Sequence, residues 1–374
     1  MKKRLLLVLV VILTFSMVFA ACNNNSSSGS STTTPPASTD TPASNDNATG
    51  ESYKVDVAVT LGEPVSPNWA KVINEINDRS GGRFEPTFYW SGSLISIPEI
   101  PKGMQSSAAT FANLPSPNYP DVLPLNTRIL QMPFMDLKDP EVSCEIYMQL
   151  YEEFPEMRAE MEQFNMQVLG CTPLGTYGLH FTDKNPVKLP GDLSGRKVVP
   201  YSVTFLPLFE ENNAAGSYIP PGQIYESLEK AVVDGYINNW AFQGWFALTD
   251  LVRQHVNFTE YGAFQEFNIL IVDKKWYDAL SAEDQQLWKD VIWNEGGYKA
   301  MWQDTKDLVA NEMEKAKAKD DLIYDLTDEE FDVWKQAVLP QQQVVLDEIN
   351  AQRGDTVASD IFKRCQELIA EKMG

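Results

Sequence analysis

Two histidines, His180 and His255, are the only imidazoles in a chain of 374 residues, and 75 positions separate them. Metal-dependent hydrolysis draws on an H-E-x-x-H helix, redox or zinc chemistry on C-x-x-C, and acyl transfer on a G-x-S-x-G elbow, because each spacing puts reacting groups on one face or one turn. None of these patterns occurs, and neither does a glycine-rich loop that could cradle phosphate. Acidic residues number 52 against 30 lysines and arginines, so pairs of carboxylates are common by chance alone. Glu210-Glu211 and Asp328-Glu329-Glu330 fit helix starts or solvated faces. Residue chemistry therefore points to binding without a metal or cofactor. Asn238-Asn239-Trp240 sets polar amides beside a large flat aromatic, a mixture that suits a pocket floor better than a core.

Such groups need a folded body to hold them, and it begins near Glu51. Lys54 to Leu61 alternates and is rich in valine, which predicts a strand. Ser66-Pro67 supplies a helix N-cap and a proline at the first helical position; Trp69, Val72, Ile73 and Ile76 follow at helical spacing, and Gly81-Gly82 closes the helix. Arg83 to Trp90 returns to strand. A β-α-β opening implies a parallel sheet with helices on its faces. Further strands are expected over Ala108 to Leu114, from Val168, over Arg196 to Val203 and over Phe267 to Val272. Helices are expected near Pro101, over Glu141 to Gln167 with a break at Pro155, and over Ile224 to Val233. Capping boxes at Ser281 and Thr327 open two more, the first running to about Lys319 with a soft interruption at Gly296-Gly297, and a last helix ends the chain. Strands that return late, after a long excursion, imply a chain crossing between two lobes more than once.

The N-terminal segment has different chemistry. Lys2, Lys3 and Arg4 precede an uncharged apolar run from Leu5 to Phe19, the order of a secretory signal. The run ends in Phe19-Ala20-Ala21-Cys22, which resembles the bacterial lipobox, in which the cysteine thiol takes a diacylglycerol and becomes the mature N-terminus. Residues 23 to 50 contain no aromatic and no large aliphatic side chain, so they cannot bury enough surface to offset ordering entropy and are expected to act as a tether. With the signal removed, the net charge moves from −22 to near −25, which argues against nucleic acid or anionic lipid as a partner. Cys144, Cys171 and Cys365 remain, an odd number at irregular spacing; a Cys144–Cys171 bridge is conceivable outside the cell, and buried free thiols fit better.

The body resembles the extracytoplasmic solute-binding subunits of tripartite ATP-independent periplasmic (TRAP) transporters, the DctP-like family, over nearly all of residues 53 to 320. Ser80-Gly-Gly-Arg83 with the following FEPTFYWSGSL, Leu123-Pro-Leu with Leu130-Gln-Met-Pro-Phe134, and Asp192-Leu-Ser-Gly195-Arg-Lys197-Val carry the likeness in the family's order. Ile224-Tyr225-Glu226-Ser-Leu228 through Asp234-Gly235 is the most specific stretch, and Trp276 with the Leu280-Ser-x-Glu-Asp-Gln-Gln helix start completes the series.

The resemblance implies an α/β, two-lobed periplasmic-binding-protein-like fold with crossing hinge strands and a long linking helix. Residues 1-21 would be the signal, 22-50 the lipidated cysteine and tether, 51-176 with about 265-300 one lobe, 177-264 the other, and 301-374 C-terminal helices packing across both. It implies a small-molecule ligand, an organic acid in most members, delivered to TRAP permease membrane subunits. An arginine usually pairs with that acid, and the aligned position here is Val199; a second basic position aligns with His180. Thr60, Asn113 and Asn238 align with pocket positions, and Trp90, Tyr119, Tyr177, Tyr201, Trp240 and Trp245 lie around them. The set describes an aromatic, amide-lined, weakly charged pocket for a neutral solute, or for an acid held by His180, amides and waters. A ligand-loaded sensor subunit for a signalling receptor is the alternative role, and a hydrolase with two facing carboxylates a more distant one. Lipid on Cys22 would hold the protein on the outer face of the cell membrane, as a Gram-positive-type envelope requires.

Overall fold

The computed structural model describes residues 51–201 and 205–374. Ten strands form one twisted sheet: β1 (Tyr53–Ala58), β2 (Phe84–Tyr89), β3 (Phe111–Pro115), β4 (Met166–Phe181), β5 (Lys197–Pro200), β6 (Ala215–Gly216), β7 (Gly235–Asn239), β8 (Gln254–Asn257), β9 (Gln265–Asp273) and β10 (Leu322–Asp325). The order is β2-β1-β3-β9-β4-β7-β5-β6, with β8 joined to β4 and β10 joined to β8. β1 runs parallel to β2 and β3, and the helix Pro67–Arg79 crosses over between β1 and β2, as the opening pattern requires. Trp69, Val72, Ile73 and Ile76 form that helix's buried stripe. Its cap differs from expectation. Ser66 turns its hydroxyl back to the Gly62 carbonyl, and Asp304, from the helix Gly297–Ala318, accepts the Asn68 N–H at 2.9 Å instead. A carboxylate from a distant helix can thus satisfy an orphan helix-end donor as well as a local serine.

The sixteen-residue β4 is the spine of the molecule. Its first part, Met166 to Thr176, pairs antiparallel with β9, which in turn pairs with β3. Its last part pairs with β7 on one side, from Tyr177 to Phe181, and with β8 on the other, from Gly178 to Phe181. Between these two parts the β4–β9 register slips at Pro173/Gly175, leaving Leu174 as the bulged residue. Gly175 there has φ +106°, a conformation side-chain-bearing residues rarely adopt.

Buried apolar side chains gather in three clusters. The largest draws on β1, β3, the first part of β4, β9 and the helix Pro140–Glu153. A second contains Leu179, Phe181, Val198, Phe205, Phe258, Phe264 and Trp334, and a third contains Val199, Tyr201, Tyr236, Phe242 and Leu248. The helix Asp328–Arg353 serves two of them: Phe331, Trp334 and Val338 enter the second, and Val345, Leu346 and Ile349 enter the first. Pro340 lies between those two sets of contacts.

Two helices are more interrupted than their patterns suggest. Pro155 divides the expected long helix into Pro140–Glu153 and Pro155–Glu162. The helix opened by Ser281 ends at Lys289, passes through a π-helical turn, and restarts at Gly297 after Gly296 at φ +87°. Cys144, Cys171 and Cys365 are buried free thiols.

Candidate functional site

β1 and β3 deliver Thr60 and Pro115 at their C-terminal ends, and β7 delivers Asn238 from the opposite side. The bulge turns Leu174 inward, and β9 contributes Glu266 and Asn268, which share a face because strand side chains alternate. Tyr201, just past β5, and Phe242, Trp245 and Phe246, from the helix Ala241–Trp245 and its end, close the other wall. Together they enclose an inner chamber of about 40 Å³. Through Thr60, Leu61, Ile97, Pro221, Trp245 and Phe246 it continues into an outer vestibule of about 460 Å³. Clefts at the carboxyl ends of strands are where open α/β sheets hold ligands.

The polar atoms of the chamber have defined orientations. The Thr60 backbone N–H donates to Asn113 Oδ1 at 2.8 Å, so the other end of that amide is its NH2. Asn113 Nδ2 then donates to Thr60 Oγ1 at 2.6 Å and to Asn268 Oδ1 at 2.7 Å. Asn268 is left with Nδ2, a fully buried donor that finds no partner. The same logic runs from β7. The Phe242 N–H donates to Asn239 Oδ1 at 3.0 Å, and Asn239 Nδ2 donates to Glu266 Oε2 at 3.0 Å. The Asn239 N–H takes Asn238 Oδ1 at 2.6 Å, which leaves Asn238 its NH2. The Tyr201 hydroxyl and Trp245 Nε1 are also buried without partners. Glu266 is 6 % exposed, and burial pushes its carboxyl up to about 8, against the lowering effect of Asn239 and Tyr177 beside it.

Of the residues read from sequence, Thr60, Tyr201, Asn238 and Trp245 line the chamber, and Asn113 supports it from one layer behind. The others stand elsewhere. Tyr119 is buried and donates its hydroxyl to the Ile97 carbonyl. Trp90 stacks on Phe88 with ring centroids 5.4 Å apart. Val199 is fully buried in the third cluster, and Tyr201, two residues on and of the same parity, presents a phenol at the chamber where a guanidinium might have been sought.

His180 is sealed behind the pocket wall. Its Nε2 lies 3.1 Å from the Asn238 carbonyl, an acceptor, so Nε2 carries the proton. Its Nδ1 therefore accepts from His255 Nδ1 at 2.8 Å. Both ring nitrogens are occupied, and burial holds the imidazole well below its usual range, so it offers no positive charge. Trp240 stacks on His255 at 4.2 Å and gives its indole N–H to Asn257 at 3.3 Å, away from the chamber. Asn118, Glu266 and Asn268 were not singled out by sequence. The signal for the last two was present: Gln265, Glu266 and Asn268 open a strand whose nine residues are all buried. A polar residue in such a strand needs a partner.

The described residues lining chamber and vestibule include no lysine, arginine or histidine and one carboxyl, Glu266. The facing carboxylate pair expected of a glycosidase-type hydrolase is not among them.

A cleft at strand ends of an α/β body, lined by aromatics and amides from several strands, is the setting of a small-molecule binding site. The chain belongs to the bacterial extracellular solute-binding proteins, family 7, which it matches over residues 59–348. It is 25% identical over 283 residues to the ectoine-binding periplasmic protein TeaA of Halomonas elongata, covering 74% of this chain and 79% of that one. A solute-binding protein of Chromohalobacter salexigens is 27% identical over 234 residues, 59% of this chain and 67% of its own. Among solved structures, a TRAP solute-binding protein from Rhodoferax ferrireducens in complex with copurified benzoate superposes with TM-score 0.74 at 19% identity, covering 86% of this chain and 98% of that one. A periplasmic one from Chromohalobacter salexigens with bound D-glucuronate gives 0.70 at 22%, covering 85% and 100%. The fold is theirs, and by family the protein is an extracellular solute-binding protein.

Proposed function

We propose that the protein captures a small solute of no net negative charge in the chamber between its cores and carries it to the permease from a lipid anchor on Cys22. The first cluster with its strands forms one lobe and the second and third clusters the other, and β4 and β9 are the strands about which they close. A ligand shifts that equilibrium by touching both walls only when they are together. The observation that carries the reading is the chamber lining: unpartnered hydrogen-bonding atoms from both sides and no guanidinium or ammonium to hold a carboxylate. A thermal-shift screen tests it. Solutes without net negative charge should raise the melting temperature; strong stabilisation by simple mono- or dicarboxylates alone would refute it. The anchor is tested separately: Cys22→Ser should lose metabolic labelling with palmitate and release the protein from membranes.

A further inference from the structure

The chamber's polar atoms divide unevenly by kind. Asn268 Nδ2, Trp245 Nε1 and the Tyr201 hydroxyl are buried donors with no partner, and the amide orientation at Asn238 adds another NH2. Against these donors stands one acidic group, Glu266, buried in the same lining. Among the described residues no cation pairs with it, and its hydrogen-bond neighbours are Asn239 and Tyr177. Glu266 and Asn268 are two residues apart on one face of β9, so their side chains leave the strand roughly 7 Å apart.

An unpaired buried carboxylate is costly, and so are unpaired buried donors. One molecule can satisfy both if it carries a protonated nitrogen and oxygen acceptors a few bonds apart. Resting on the reading of this cleft as the solute site, we infer that the ligand is a compact zwitterion, its protonated nitrogen on Glu266 and its carboxylate or carbonyl oxygens on the donors of Asn268, Trp245 and Tyr201. Four neutral donors can hold an anionic group without an arginine, provided the molecule brings its own positive charge to the acid. The narrow chamber favours few heavy atoms, since 40 Å³ on this measure holds only about three waters at ~10–15 Å³ each. The wall of Phe242 and Phe246 suits an apolar or ring-shaped middle.

Binding of such a ligand moves a proton. In the free protein near pH 7 Glu266 is largely protonated; pairing with a cation ionises it, and the proton leaves to solvent. The titratable groups that face it are Tyr177 from β4 and Tyr201 from the end of β5, both held far above their usual range by burial and so unchanged near neutrality. β7 presents only the amide of Asn239.

Isothermal titration of the unfolded-and-refolded, ligand-stripped protein with ectoine, proline and 4-aminobutyrate, against benzoate and D-glucuronate, tests the inference. At least one zwitterion should bind, releasing up to one proton at pH 7 as judged from two buffers of different ionisation enthalpy. Its affinity should rise by up to tenfold per pH unit between pH 6 and 8. Glu266→Gln should weaken it tenfold or more and abolish the proton release. Should that variant fold poorly, the wild-type proton count and pH slope decide alone. Binding of benzoate or glucuronate to wild type and variant alike, with no zwitterion bound, would overturn the zwitterion while leaving the cleft as the solute site. No binding in any arm, together with no small molecule found by mass spectrometry in the protein as purified, would overturn both.

Discussion

Two buried polar clusters lie on either side of the Asn238–Asn239 strand, and they are built on opposite plans. Behind it, His180 spends both nitrogens on protein atoms, and Arg253 and Lys319 stand 2.8 and 3.1 Å from the Asp321 carboxylate; His255 Nε2 and the Asp321 oxygens make no hydrogen bond, but they face one another and these cations and line neither chamber nor vestibule. In front of it, Asn268, Tyr201 and Trp245 keep hydrogen-bonding capacity that the protein does not use, in a lining shared with Glu266. Burial is nearly equal. What separates a structural cluster from a binding one is where the spare valence points, and residue type says little: the histidines that look functional in the sequence are the inert ones.

Acid should expose this contrast most strongly. His255 falls to about 3, first through desolvation and then through Lys319, with Asp321, Arg253 and His180 also facing it. Its folded value lies below the unfolded 6.5, so the unfolded chain takes up the proton first as pH falls. The contribution is complete above pH 6.5 and lost between 6.5 and about 3, on the order of 5 kcal/mol at about 1.36 kcal/mol per unit. Urea unfolding at pH 7 and pH 4 should show His255→Gln losing markedly less stability than wild type across that interval.

Glu266 titrates with the opposite sign. Its folded value of about 8 exceeds the unfolded 4.5, so its contribution is present below pH 4.5 and lost as pH rises to about 8. Ligand-free Glu266→Gln should therefore exceed wild type at pH 9, by on the order of 5 kcal/mol, and match it near pH 4. Equal stability of the two proteins at pH 9 would mean the acid is not confined as described.

Smaller effects test how each cluster is held. A Cβ on Gly235 would sit 2.3 Å from the His180 carbonyl, so Gly235→Ala should cost about 1–3 kcal/mol at every pH and leave the His255 slope in place. Asn113→Ala strands the Thr60 N–H and the Asn268 carbonyl oxygen and should cost about 1–2 kcal/mol, seen as a lower urea midpoint with unchanged m-value.

Much of the fold could be read from local chemistry. The β1–helix–β2 opening, the break at Pro155 and the Thr327 cap all follow from residues within one or two turns of each other. The α/β plan with strands crossing between two lobes follows from the β-α-β opening and the late return of strands, and the resemblance implies the same plan. The chamber was harder to read because its contacts are remote: Asn113 meets Asn268 across 155 residues, and Asn239 meets Glu266 across 27. Thr60, Tyr201 and Asn238 emerged as strand-end positions of a familiar pattern. Trp240 and His180 could not be placed from sequence because the groups that hold them, His255, Asn257 and the Asn238 carbonyl, come from other strands. His180 pairs with Tyr236 and His255 in the sheet, on the face of Asn238 but two positions further from the strand end that reaches the chamber.

The amide relay from Thr60 through Asn113 to Asn268 has a direction, and its origin is a backbone N–H that cannot be reversed. Read as a circuit, it is a wire with a fixed input and a rewritable middle. Aspartate in place of Asn113 would still accept from Thr60 but would present oxygen to Asn268, turning that side chain end over and giving the chamber an acceptor where it now has a donor. A lineage could thus retune what it imports by changing one residue that the cargo never meets.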